Sequence, residues 1–273
     1  MSRDALAALA ALAVALAAPA AAQDAPARIP SHCLAFADAA RVVPAAVDAP
    51  LEADTIRIRY LGHASVALET PGGLLAVTDY TGYTGAAGVV PDVVTMNNAH
   101  PTHWTDRPDP RIPHVLRGWA EDGVAAAHEL DLGEMLVRNV PTDLRAGLGG
   151  VRRDGNSIFV FEAAGLCIGH LGHLQQEPGP EEYAMLGRLD VVMVPVDGGY
   201  TMDIGTMSRV VQRLRSSVVI PIHWFSEESL ERFLAQVEGD FDVVRMEQPD
   251  LVLSLDRLPG RPTVMVLPPQ WID

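Results

Sequence analysis

The sequence predicts a layered α/β fold in which two β-sheets are covered by helices. Many short segments with the length and pattern of strands run through the chain, and amphipathic helical patterns are concentrated in its second half. The chain has 273 residues and a hydrophobic content of 48%. A chain of this kind can bury a large core within a single domain.

The strand pattern begins at Ile56. Ile56, Ile58 and Tyr60 alternate with Arg57 and Arg59, which is the period of a half-buried strand. The other predicted strands are 65–69, 74–79, 93–96, 135–140, 157–162, 166–169, 191–195, 218–222, 252–255 and 263–267.

Two helices are predicted in the second half of the chain. One spans about 203–215, and the other follows Ser226, a residue type that favours helix N-termini. In the second helix the apolar positions recur at i, i+3, i+4 and i+7, as Leu230, Phe233, Leu234 and Val237.

The first 22 residues have the features of a secretory signal peptide. Arg3 precedes an apolar, alanine-rich run, and small residues at 20–22 suit cleavage. A membrane anchor is the alternative, but it needs about 20 apolar residues, and this run is shorter and is broken by Pro19. We therefore expect a periplasmic or secreted protein without membrane attachment after cleavage. Residues 23–54 are expected to be an irregular lead-in, and 55–273 to form the folded domain.

The formal net charge of −15 argues against nucleic acid as a partner. Removal of residues 1–22 takes away one Arg and one Asp, so this charge does not change. Without a basic excess the protein cannot neutralise phosphates along a polyanion. We expect a small-molecule substrate, and the sequence leaves the oligomeric state open.

The chain has two cysteines, Cys33 and Cys167. In an oxidising compartment they are able to form a disulfide. Equally, Cys167 fits the pattern of a small buried residue within a strand.

A group of histidines lies at or shortly after the ends of predicted strands. Strand ends on a rigid sheet can direct side chains into a shared site, and neutral imidazole is a common metal ligand. The candidate metal ligands are His100, His103, His170, His173 and His223.

Several segments resemble the metallo-β-lactamase superfamily, in the branch that includes ascorbate-6-phosphate lactonase and other zinc-dependent hydrolases. They occur in the expected order over about residues 55–225, and the resemblance implies a four-layer αββα sandwich. The segments are LGHAS (61–65), TD (78–79), DVVTMNNAHPTHWTD (92–106), GNSIFVFEAAGLCIGHLGHL (155–174), LGRLDVVMVPVDGGYTMD (186–203) and VVIPIHW (218–224).

The metal motif of that family, His-x-His-x-Asp-His, is only half retained. Asn98 stands for the first histidine and Thr102 for the aspartate, whereas His100 and His103 remain. No histidine occurs near Thr142, where the family has another ligand. The resemblance therefore implies that the first metal of the usual pair has lost its ligand set.

The ligand set of the second metal is altered rather than lost. His173 replaces a bridging aspartate, and the resemblance places it with His103 and His223 around one ion. Three imidazoles plus water form a known catalytic zinc arrangement, so we expect one zinc ion, with iron or manganese as alternatives. His100 is either a fourth ligand or a group that orients water, and His170 either joins the cluster or supports it from the core.

Four other features complete the candidate site. His63, a candidate catalytic residue, lies at the site mouth by resemblance, but a core histidine would fit equally. Asp106 is a candidate general base or a surface loop residue. Asp79 resembles the family's aspartate that supports the metal loop, and an ordinary turn residue would fit the same pattern. Residues 197–200 (DGGY) resemble a pocket-forming glycine loop or are an ordinary turn.

Two functions from different classes remain open. In the first, water activated by the metal attacks an ester, lactone, amide or phosphoester. In the second, the protein is a non-catalytic exported binding protein with a degenerate metal site.

Overall fold

The computed structural model describes Cys33 and residues 50–270. The predicted signal peptide, most of the lead-in and His32 lie outside the described residues. The strands are β1 (Ile56–Gly62), β2 (Ser65–Glu69), β3 (Leu75–Val77), β4 (Val93–Met96), β5 (His114–Arg117), β6 (Glu129–Asp131), β7 (Met135–Arg145), β8 (Val151–Ala163), β9 (Leu166–His170), β10 (Val191–Pro195), β11 (Val218–Ile222), β12 (Asp242–Arg245), β13 (Asp250–Leu253) and β14 (Thr263–Val266). The α-helices are α1 (Pro180–Leu186), α2 (Ile204–Leu214) and α3 (Glu227–Val237).

The strands form two mixed sheets that pack face to face. One sheet has the order β13-β1-β2-β3-β4-β5, and the other has the order β12-β14-β11-β10-β9-β8-β7-β6. Ile58 and Val66 of the first sheet and Phe159, Met193 and Ile220 of the second belong to one buried cluster. Burial of these alternating apolar side chains removes a large area from water and holds the sheets together.

The helices cover the outer face of the eight-stranded sheet. Met207 of α2, Phe233 of α3 and Leu186 of α1 share a buried cluster with Val192 of β10. Over the outer face of the six-stranded sheet, the described residues supply loops instead of α-helices, with Tyr80, Ile112, Trp104 and Trp119 packed against Val94 and Met96. The predicted layered arrangement is therefore present, with one outer layer built from loops.

Helices α2 and α3 lie where the sequence predicts them. Asp203 caps α2 by accepting a hydrogen bond from the backbone N–H of Thr206 at 3.0 Å. Ser226 precedes α3, but its side chain makes no capping hydrogen bond.

Parallel pairing brings several strand ends to one edge of the molecule. β10 lies parallel to both β9 and β11, with Pro195 opposite Ile222, and β3 lies parallel to β4. The segments that follow these strands therefore leave the sheets close together, and they carry most of the candidate site residues.

A disulfide joins Cys33 to Cys167 in β9, across 134 residues of sequence. Of the two possibilities that the sequence left open for these cysteines, the structure shows the bridge. Among residues 50–270, no helix has the length and hydropathy needed to cross a membrane.

Candidate metal centre

Two buried imidazoles form the middle of the site. His103 lies in the loop after β4, and His223 directly follows β11. Their Nε2 atoms are 3.2 Å apart and their rings are nearly parallel, with an interplanar angle of 13°. The two sheets thus each supply one histidine to the same point.

An aspartate supports each of these histidines from its far side. Nδ1 of His103 donates a hydrogen bond to Oδ2 of the fully buried Asp79 at 2.6 Å. Nδ1 of His223 lies 3.1 Å from Oδ1 of Asp197, in the loop after β10. The first contact is a hydrogen bond that places the ring proton of His103 on Nδ1. The second is an electrostatic contact outside hydrogen-bond geometry, in which the carboxylate favours a proton on Nδ1 of His223. Both therefore direct an Nε2 lone pair into the site, as carboxylates do for metal-bound histidines.

The spacing of the two Nε2 atoms suits a shared cation. Two imidazole nitrogens bound tetrahedrally to zinc at about 2.0–2.1 Å would lie about 3.3 Å apart. The observed 3.2 Å is close to this value. Two lone pairs at such a distance repel one another unless a cation or a proton lies between them. The donor atoms therefore fit a metal ion.

His63, in the turn between β1 and β2, completes this group. Ligand atoms of His63, His103 and His223 all lie within 4.8 Å of one another. Nε2 of His63 is buried and has no hydrogen-bond partner among the described residues. A buried nitrogen without a partner is costly, which favours a role as a ligand. The backbone carbonyl of His63 accepts hydrogen bonds from Tyr60 Oη at 2.7 Å and from the N–H of His223 at 2.6 Å.

The backbone at the centre is held in an uncommon conformation. His63, Asp79 and His223 have φ values of 51°, 42° and 54°, in the left-handed region that residues other than glycine rarely adopt. Such strain costs about 1–3 kcal/mol for each residue and is concentrated at functional sites. Three of these residues meet at one site, which supports a functional role for it.

His173 and His100 border the group on one side. Nδ1 of His173 lies 2.9 Å from Nε2 of His103. Without a cation at this point, His173 is the donor in this contact, because His103 already donates through Nδ1. A cation bound at Nε2 of His103 would take the place of this hydrogen bond. The ring of His100 is exposed and stacks on that of His173, with centroids 5.6 Å apart.

His170 is held away from the cluster by two hydrogen bonds. Its Nε2 donates to the carbonyl of Ala64 at 2.8 Å, and its Nδ1 accepts from Nδ2 of Asn97 at 3.1 Å. Both ring nitrogens are therefore used, and neither is left for a metal. The structure gives His170 a supporting role in the core in place of the predicted metal ligation.

Asp106 does not join the histidines either. It lies on an exposed loop, with its carboxylate 3.8 Å from Arg107. The candidate role of Asp106 as general base has no geometric support.

The positions of the lost ligands are occupied by hydrogen-bonded polar groups. Oδ1 of Asn98 accepts from Nη2 of Arg152 at 2.7 Å, and Oγ1 of Thr142 accepts from Nδ2 of Asn156 at 2.9 Å. Thr102 is exposed, and its hydroxyl lies 3.0 Å from Nδ1 of His100. These side chains satisfy one another and do not form a second metal site.

Burial controls the protonation of the cluster. Desolvation, reinforced by neighbouring imidazoles, lowers the pKa of His63, His103 and His173 to about 3. Burial raises the pKa of Asp79 to about 6. At pH 7 the three imidazoles are therefore neutral and able to act as ligands, while Asp79 is ionised.

Asp197 is held as a carboxylate by its loop. Burial opposes its ionisation, but the contact with His223 and hydrogen bonds from Thr201 and Gly199 outweigh this effect, so the pKa of Asp197 lies well below its ordinary value. The sequence presented this residue only as part of a glycine loop. An aspartate just after a buried strand that neighbours the strand of His223 was the available signal.

The fold and the histidine centre define a metallo-β-lactamase-type α/β sandwich. A family model described as a β-lactamase superfamily domain matches residues 57–223, which is more than half of the chain. The chain belongs to this superfamily, which confirms the predicted family and fold class.

Individual relatives share about a quarter of their residues with this chain. The chain is 25% identical over 213 residues to a metal-dependent hydrolase of Methanosphaerula palustris, across 71% of this chain and 97% of that protein. It is 23% identical over 230 residues to a metal-dependent hydrolase of Methanospirillum hungatei, across 78% and 96%. A solved structure of a metallo-β-lactamase superfamily protein from Thermotoga maritima is similar, with a TM-score of 0.56 and 26% identity, across 78% of this chain and 98% of that chain.

Proposed function

We propose that the protein is a metal-dependent hydrolase of small molecules, in which His63, His103 and His223 hold one metal ion. The observation that carries this proposal is the 3.2 Å distance between the Nε2 atoms of His103 and His223. Each of these rings contacts a buried aspartate side chain through its Nδ1 atom. Imidazole nitrogen is a good ligand for zinc, and iron and manganese are alternatives. The names of the relatives from Methanosphaerula and Methanospirillum support a metal-dependent hydrolase.

A bound zinc ion lowers the pKa of water and polarises the bond under attack in an ester, lactone, amide or phosphoester. The protein's own groups prepare this chemistry. Asp79 and Asp197 fix the tautomer and orientation of His103 and His223, so that both Nε2 atoms stay available.

Proton transfer is assigned to the remaining two imidazoles. His173 contacts His103, and His100 stacks on His173 and reaches solvent. The exposed ring of His100 can exchange protons with bulk water, which the buried rings cannot do. We assign to His100 the general-base role that Asp106 does not fill.

An oxidising compartment is part of the proposal. The disulfide between Cys33 and Cys167 supports it, because such bridges persist mainly in the periplasm or outside the cell. Export through the segment 1–22 accounts for this location.

The test is hydrolysis of a panel of lactones, phosphodiesters and β-lactams by the zinc-loaded protein. We expect activity on at least one class, its loss after chelation and its return with zinc. His100→Gln should lower kcat about 10²-fold while zinc stays bound. His128→Gln, at a half-buried position away from the cluster where the ring bonds the carbonyl of Arg117, should leave kcat unchanged. Bound zinc without turnover of any class would favour the non-catalytic binding protein.

A further inference from the structure

A cavity of about 320 Å³ opens next to the histidine cluster. It lies on the side of His100 and His173, away from His63. Its lining residues are Asn98, Ala99, His100, Leu144, Arg145, Ala146, Arg152, His173 and Gln175.

The charge of this cavity differs from that of the protein as a whole. Two arginines line it, and no carboxylate does. The chain has 35 acidic and 20 basic residues, with a formal net charge of −15. A cationic cavity in so acidic a protein attracts anions locally and disfavours cationic ligands.

Arg152 supplies the available charge. Its Nη2 donates to Oδ1 of Asn98 at 2.7 Å and to the carbonyl of Gly155 at 3.0 Å. These contacts fix the guanidinium, which has five N–H donors, without neutralising it. No carboxylate among the described residues pairs with Arg152. The neighbouring Arg153, by contrast, forms an ion pair with Asp143 at 2.8 Å.

The second arginine of the cavity has a structural task. Nη2 of Arg145 donates to the carbonyls of Gly199, Tyr200 and Thr201, and its backbone N–H donates to Oε1 of Gln175. Arg145 therefore ties the cavity wall to the loop that carries Asp197. Arg145 therefore adds positive charge to the cavity, whereas Arg152 offers the N–H donors that can bind a ligand.

We infer that this cavity binds an oxyanion of the substrate, a carboxylate or a phosphate, through Arg152. The inference rests on the proposed function, because it treats this oxyanion as the part of the substrate that anchors it beside the metal. An arginine fork matches the geometry of both anions, and one fixed at Asn98 needs little reordering on binding. The predicted substrate is thus a small anionic ester, lactone, amide or phosphoester.

The test measures anion binding to the full-length protein after removal of metal, by calorimetric titration with inorganic phosphate and with acetate. We expect saturable binding of at least one anion. Arg152→Ala should weaken it at least tenfold, Arg152→Lys should weaken it less, and Arg153→Ala should leave it within twofold of the parent protein.

Absence of saturable binding of both anions would overturn the inference. Equal affinity in Arg152→Ala, or an equal loss in Arg153→Ala, would also overturn it. If Arg152→Ala does not fold, the anion affinities of Arg152→Lys and Arg153→Ala are compared instead. Weaker binding in Arg152→Lys than in Arg153→Ala supports the inference, and equal binding overturns it. Zinc content reports separately on the proposed function, since failure to bind zinc leaves the anion titration measurable.

Discussion

The Nε2 atoms of His103 and His223 lie 3.2 Å apart, although 120 residues separate the two histidines in sequence. Each ring is supported through Nδ1 by a different aspartate, Asp79 or Asp197. The arrangement directs the Nε2 lone pairs of both histidines at the same point.

Asp197→Asn should weaken zinc binding about 10–100-fold, because an amide holds the proton on Nδ1 of His223 less firmly than a carboxylate does. Competition with a chelator of known affinity measures this change. Asp203→Asn is the matched control, since it caps α2 away from the cluster and asparagine caps equally well. Unchanged zinc affinity in Asp197→Asn would contradict the positioning role of Asp197.

His170→Ala should lower the free energy of unfolding by about 2–4 kcal/mol, because it removes the hydrogen bonds of the ring to the carbonyl of Ala64 and from the side chain of Asn97 and opens a buried cavity. Urea denaturation of the metal-free protein measures the loss. His128→Ala, at a half-buried position where the ring makes one hydrogen bond, to the carbonyl of Arg117, should cost less. If His170→Ala instead kept its stability and lost zinc, His170 would be a ligand after all.

Acid should destabilise the metal-free protein between about pH 6.5 and 3. His63, His103 and His173 have a pKa of about 3 when folded and 6.5 when unfolded, so the unfolded state binds more protons in this window. The raised pKa of Asp79 has the opposite effect on stability between pH 3.8 and about 6, because there the folded state binds the extra proton. This one carboxylate offsets the effect of only one of the three histidines. Urea denaturation across this pH range should give a smaller pH slope for His173→Gln. An identical slope would contradict the assignment.

Reduction of the disulfide should lower the free energy of unfolding by about 2–4 kcal/mol, because the bridge restricts the unfolded chain. Urea denaturation with and without dithiothreitol measures the difference, and Cys33→Ser should reproduce the value of the reduced protein. If the reductant has no effect and free-thiol titration finds two thiols in the untreated protein, Cys33 and Cys167 are not bridged.

Alternating and continuous apolar runs predicted most of the sheet strands. Strands β4, β10 and β11 lie where the sequence predicts them, because each is a continuous run of buried, mostly apolar residues. Strands β5, β6 and β12 were missed, since exposed or half-buried residues dominate all three. Helix α1 was missed as well, although Pro180 and two glutamates mark its first turn, because seven residues are too few for a periodic pattern.

The site was only partly predictable, for reasons of distance and local contact. Strand ends and the family motif led to His103, His173 and His223. The approach of His63 to His223 and the two hydrogen bonds of His170 join residues at least 73 positions apart in sequence, which no local pattern encodes. Arg152 was not recognised because its partner Asn98 lies 54 residues earlier.

Metal analysis of the protein purified without chelator tests the central claim most directly. The account predicts about one zinc, iron or manganese ion per chain, lost in His103→Ala and in His223→Ala but kept in His128→Ala. A parent protein that binds no metal, even after incubation with excess zinc, would contradict it, as would full metal occupancy in both variants.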